Sequence, residues 1–157
     1  YFIKKNLNSN IKTHNSVKKN LKDELNYKMD NFQTYIKFGK KVKKSKKNLI
    51  SIFNNIKKKD KKIIGYGSTA KSVTILNYCK IKSETLDYFV DTTPNKTNKY
   101  MPGTHIYIKN YQKSLLDGID YIFLGAWNFK DEIFKKEKKF IKRGGKFITH
   151  IPTPKII

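Results

Sequence analysis

Apolar positions along this chain change their period near residue 61. Before it, Tyr35, Val42, Leu49 and Ile56 recur every seven residues, and Phe32, Ile36, Ile50 and Phe53 widen that stripe. Between Ser16 and Lys59 there is no proline and one glycine, Gly39. The spacing predicts helix with one apolar face and lysines around the rest. About 28 residues of helix would be roughly 42 Å long, so the stripe is expected to pack along another surface. Gly39 and Lys46 interrupt it, which argues for core packing rather than a membrane-lying helix.

Beyond Lys61 short apolar runs alternate with helical patterns. Strands are predicted at 62–64, 86–90, 105–108, 121–124 and 146–149. Helices are predicted at 69–78 and 129–142, the latter stopped by Gly144-Gly145, with a short one at 110–116. Residues 92–103, rich in Pro, Asn, Gly and Lys, read as a loop. This alternation predicts an α/β, Rossmann-like, mostly parallel doubly wound sheet of about five strands, preceded by a long helical segment. The expected organisation is a linker or upstream-domain tail at 1–17, a helical connector at 18–60 and the Rossmann-like domain at 61–157. Tyr1-Phe2-Ile3 could end a strand of a preceding domain, and a first residue other than Met suggests that the chain begins further upstream.

Composition alters this picture little. The formal net charge is +23, which first suggests nucleic acid or an anionic surface. Yet Arg143 is the single arginine among 35 basic residues. Readers of bases and phosphates favour the guanidinium fork, so solvated lysine faces are the better reading, with a bias toward phosphorylated ligands. Cys79 is alone, which excludes an internal disulfide and a multi-cysteine metal site, and its apolar helical setting makes it a small core residue. No apolar run reaches the roughly twenty residues of a membrane span, and no signal peptide is visible; a cytoplasmic location is expected.

The strongest chemical signal is Gly65-Tyr66-Gly67-Ser68-Thr69-Ala70, which fits G-x-G-x-x-G/A between a strand and a helix. In that motif the first glycine permits a tight turn, the second lets backbone approach a phosphate, and the small sixth residue lets helix and strand pack closely. The free amides at the helix start and the helix dipole favour an anion; Ser68, Thr69 and Lys71 would add donors and charge. Asp91 ends the second strand near the spacing of a ribose-binding acid, or caps the following loop. Trp127 and Asn128 follow the fourth strand, where they would face the same crevice and stack on or hydrogen-bond a ligand ring. No catalytic constellation is evident. His14, His105 and His150 stand alone in sequence. A nicotinamide-dinucleotide oxidoreductase domain and a basic nucleic-acid-binding protein remain alternatives.

Several motifs, in order, resemble the C-terminal domain of the SAM-dependent sugar C-methyltransferases. They are Gly65 to Lys71 with Leu76-Asn77-Tyr78-Cys79, then Val90-Asp91 with Pro94 and Lys96, then Met101 to Ile106. Trp127-Asn128-Phe129, Glu132-Ile133, Arg143 to Ile148 and Ile151-Pro152 complete them. Ser72 and Thr92 depart from the family's usual glycine and arginine. The resemblance implies an enzyme with a zinc-binding segment and a SAM-binding domain upstream, both outside this chain. This last domain would hold a nucleoside-diphosphate-linked keto-sugar. The family's chemistry removes a proton beside the carbonyl and passes the methyl of SAM to the resulting carbanion. By the same resemblance Gly65, Tyr66, Gly67, Ser68, Thr69, Ala70 and Lys71 would approach the diphosphate. Asp91, the Pro102-Gly103-Thr104-His105 loop and Trp127-Asn128 would border the sugar. The catalytic residues and the zinc ligands would lie upstream.

Overall fold

The computed structural model describes residues 13–157, and two units are recognised, 1–42 and 43–157. Most of the expected linker at 1–17 and its Tyr1-Phe2-Ile3 start fall outside the described residues.

In the first unit, helix α1 spans Asn15–Asn26. His14, read from sequence as unpartnered, is its N-cap: Nδ1 accepts from the Ser16 amide at 3.2 Å. The predicted stripe falls on one helix of nearly the expected length, α2 (Phe32–Lys57), and a break at residues 27–31 sets it off from α1. The break has a local cause. Lys28 adopts φ 53, which ends the first helix, and the Asn31 side chain accepts from the Gln33 amide at 2.8 Å. Thr34 Oγ1 and Tyr35 Oη donate to the carbonyls of Lys28 and Met29, at 2.8 and 2.6 Å, so the turn is tied to the new helix. Phe32, Tyr35 and Ile36, expected on the packed stripe, are exposed at this end of the helix.

The second unit takes in the later part of α2, where Leu49, Phe53 and Ile56 are buried. Its core therefore recruits helix residues that precede the boundary expected at 61. Then come β1 (Ile63–Tyr66), α3 (Ala70–Cys79), β2 (Phe89–Asp91), β3 (Lys99–Tyr100), β4 (Tyr107–Asn110) and β5 (Tyr121–Leu124). After a 3-10 turn at Trp127–Phe129 follow α4 (Lys130–Lys136), α5 (Lys138–Lys142), β6 (Lys146–Thr149) and β7 (Lys155–Ile156). The strand order is β3-β4-β2-β1-β5-β6-β7. The inner five strands are parallel, and β3 and β7 pair antiparallel at the two edges.

The α/β Rossmann-like expectation holds, with seven strands in place of about five. The two additional strands are two residues each and lie beside prolines, where no alternation can register. The third predicted strand shifts from 105–108 to 107–110 because His105 takes φ 55, a turn conformation.

Ile63 and Ile64 show how the sheet is covered. Ile63 joins Leu49, Phe53, Leu76, Cys79, Phe89 and Phe123 on one face, and Ile64 joins Val90, Ile122, Ile133, Phe140 and Phe147 on the other. Apolar residues on both faces of a strand are the mark of a buried parallel sheet. Cys79 is indeed a core residue, and burial pushes its thiol pKa up.

His150, just past β6, is 5% exposed and stacks on Phe123 at 5.4 Å between ring centroids; its Nδ1 has no partner among the described residues. Burial lowers its pKa from 6.5 to about 4. Between those values the unfolded chain binds a proton that the folded chain refuses, so stability is complete above about pH 6.5 and declines toward pH 4. Urea titrations across that range should show a loss on the order of 2–3 kcal/mol attributable to this residue. His150→Phe should be as stable as the parent at pH 7 and should lose that slope; an unchanged slope would refute the assignment.

Candidate functional site

The glycine loop is organised chiefly by the protein itself. The Gly67 amide donates to the Val90 carbonyl at 2.9 Å, crossing from β1 to β2. Gly67 has φ 80, a region that glycine enters without cost. A Cβ on Gly65 would overlap the Phe89 ring, and one on Gly125 would overlap the Gly67 carbonyl and Ser72 Oγ. The glycines thus let the tips of β1 and β5 approach one another.

Thr69 caps α3. Its Oγ1 accepts from the Ser72 amide at 3.1 Å, and Ser72 Oγ accepts from the Thr69 amide at 3.2 Å, a reciprocal capping box. Ser72 Oγ also donates to the Gly67 carbonyl at 3.0 Å. The serine that departs from the family's glycine therefore stitches the loop to its helix.

Asp91, at the end of β2, turns back onto this loop. Its Oδ2 accepts from the Ser68 amide at 2.7 Å and from Ser68 Oγ at 2.9 Å, and its Oδ1 accepts from the Thr93 amide at 2.9 Å. Lys96 Nζ lies 3.9 Å away. Burial alone would raise the carboxyl pKa, but the bonds from Thr93 and Ser68 outweigh it and hold the group below the ordinary aspartate value. Asp91 is an anion at neutral pH, seated where the loop would otherwise present its amides.

Trp127 and Asn128 occupy the 3-10 turn after β5, on the same edge of the sheet. Lys71 Nζ stands 5.0 Å from the centre of the Trp127 ring, so these two predicted residues meet. Asn128 is exposed.

Pro102, Gly103, Thr104 and His105 are not brought to this crevice, in contrast to the expectation. β4 runs parallel to β2 with Asn110 beside Asp91, so residues before Tyr107 lie at the opposite, amino edge. There the Asn77 amide donates to the Pro102 carbonyl at 3.0 Å, and Gly103, φ 74, packs on Asn77 near the end of α3. Strand direction fixes this placement, which motif order along the chain could not disclose.

The crevice itself is a cleft of about 310 Å³ at the carboxyl edge. It is lined by Gly67, Thr69 and Asp91 together with Thr92, Lys96, Tyr111, Phe129, Glu132 and Lys136. Tyr66 lines it too, so the sequence reading had named four of its residues as site residues: Tyr66, Gly67, Thr69 and Asp91. Tyr111 had one usable signal, its place immediately after a strand; its amide donates to the Asp91 carbonyl at 2.9 Å.

Beneath the cleft Glu137 is 3% exposed and accepts from Tyr66 Oη at 3.0 Å and Tyr111 Oη at 2.7 Å. Burial and the adjacent carboxylate push both phenols well above the ordinary tyrosine value. The helix predicted at 129–142 divides at Glu137 into α4 and α5, where this side chain turns inward. Lys136 Nζ sits 3.6 Å from the centre of the Tyr111 ring. Cations and hydrogen-bonding groups around a concave surface suit an anionic, hydroxyl-bearing ligand.

A doubly wound sheet with such a cleft where its strand order reverses defines a domain of the Rossmann-like class. More particularly, the chain belongs to the family of C-methyltransferase C-terminal domains, which it matches over residues 1–152. It is 36% identical over 97 residues to the C-methyltransferase NovU of Streptomyces niveus, a stretch covering 62% of this chain and 23% of that protein. The chain thus matches less than a quarter of the length of that curated relative.

Gly65→Ala should cost about 1–3 kcal/mol, because the new methyl meets the Phe89 ring in the sheet interior. Thermal melting tests this, and Phe89→Leu in the same chain should recover part of the loss. A Gly65→Ala protein as stable as the parent would show that the strands separate freely.

Proposed function

We propose that this chain is the substrate-holding, C-terminal part of a SAM-dependent C-methyltransferase acting in the cytoplasm on a nucleotide-linked keto-sugar. Family membership supports the C-methyltransferase reading. The observation that carries the substrate class is the cleft at the strand switch point, with Lys96 and Lys136 on its walls and Trp127 beside its glycine loop. A volume of about 310 Å³ is at the lower end of small-molecule sites, enough for part of a nucleotide sugar.

The described residues of this chain do not fit the family's zinc or its methyl donor. Among the described residues no three of His, Cys, Asp and Glu gather as a metal-binding group. The Ser68 amide that would greet a cofactor is already bonded to Asp91. We assign both groups to the remainder of the enzyme, and the chain's contribution is to bind and orient substrate. That same bond weakens the nicotinamide-dinucleotide alternative, which needs the acid free for ribose hydroxyls.

Calorimetric titration of the chain with a nucleoside-diphosphate hexose should give saturable binding in the micromolar to millimolar range, whereas SAM and NADH should give none. Saturable SAM binding with no response to the nucleotide sugar would overturn the reading.

A further inference from the structure

Resting on that reading, we propose that the ligand's diphosphate is held by Lys96 and Lys136 across the cleft, while Asp91 serves as an internal plug that replaces the anion at the glycine loop. Three observations lead here. First, the donors of Gly67 to Thr69 are engaged: the Gly67 amide by Val90, the Ser68 amide and hydroxyl by Asp91, and the Thr69 amide by Ser72 and the Gly67 carbonyl. A phosphate seated there would meet a carboxylate at hydrogen-bonding range, an arrangement of like charges in a partly buried place.

Second, the two lysines face the same cleft from different elements. Lys96 comes from the loop after β2 and Lys136 from the end of α4. Third, Lys136 is posed before any ligand arrives. Its ammonium lies over the Tyr111 ring, and Tyr111 is anchored by its hydroxyl to the buried Glu137, which also holds Tyr66. A cation held over a ring surrenders less side-chain freedom on meeting an anion than a free surface lysine does. Lys96 Nζ lies 3.9 Å from Asp91 on the wall of the same cleft, so removing that carboxylate would free its charge for the ligand.

The test is calorimetry on the full chain with a nucleoside diphosphate, the matching nucleoside and inorganic pyrophosphate. Lys96→Ala and Lys136→Ala should each raise the Kd for the nucleoside diphosphate about five- to thirtyfold, as expected for loss of a charge-assisted bond, with little change for the nucleoside. Lys146→Ala, at the opposite edge of the sheet, removes the same charge and should change neither. Asp91→Asn should bind the nucleoside diphosphate at least as tightly as the parent. Parent binding that survives both lysine substitutions but is lost in Asp91→Asn or Ser68→Ala would overturn this inference and leave the proposed function standing. Should the parent bind neither nucleotide nor nucleotide sugar, the functional reading fails as well. Lys136 is exposed and Lys96 half-buried, outside the core, so the lysine arm remains informative if Asp91→Asn does not fold.

Discussion

The bond network of one carboxylate governs the working edge of this domain. Asp91 accepts from Ser68 and Thr93 and thereby joins the tip of β2 to the loop after β1. Two parallel strands have no turn of their own to hold their ends together, so the link must come from side chains or backbone beyond the ladder. Here Gly67 supplies a second link through Val90, and Tyr111 a third through the Asp91 carbonyl. The three tie the exits of β1, β2 and β4 into one rim, and the cleft is the hollow above it.

That arrangement also explains why glycine is needed where it occurs. Gly65 gives room to Phe89, and Gly125 to the Gly67 carbonyl. Both are demands of the sheet and its loops packing against one another, independent of any ligand. A motif usually taken as a phosphate cradle is in this chain largely a packing device, with an internal anion in residence. Lys96 and Lys136 stand on the surrounding walls.

Tyr66, Tyr111 and Glu137 form the second support. A buried carboxylate needs hydrogen-bond donors, and two phenols both donate to Glu137 Oε1. The cluster connects β1, the segment after β4 and the α4–α5 junction, so the floor of the cleft is rigid while its lysines stay at the surface. The helix division at Glu137 and the posture of Lys136 follow from the same inward turn of one side chain.

Much of this was legible in the amino-acid sequence. Period and punctuation determined the alternation of strands and helices, the core character of Cys79, the strand-loop-helix setting of Gly65 to Ala70 and the family resemblance, because these depend on residues near one another in the chain. The break at residues 27–31 was local too, but its signal, an asparagine cap and a lysine in a left-handed turn, is weak in a stretch without proline and with one glycine. Tertiary structure alone decided which ends of the strands share an edge. It sent Pro102 to His105 to the amino rim, brought Tyr111 and Lys136 to the cleft, and turned Asp91 onto Ser68. Each of those outcomes rests on partners 20 or more residues apart, or on the direction in which a strand runs, and neither quantity is written in any short stretch of sequence.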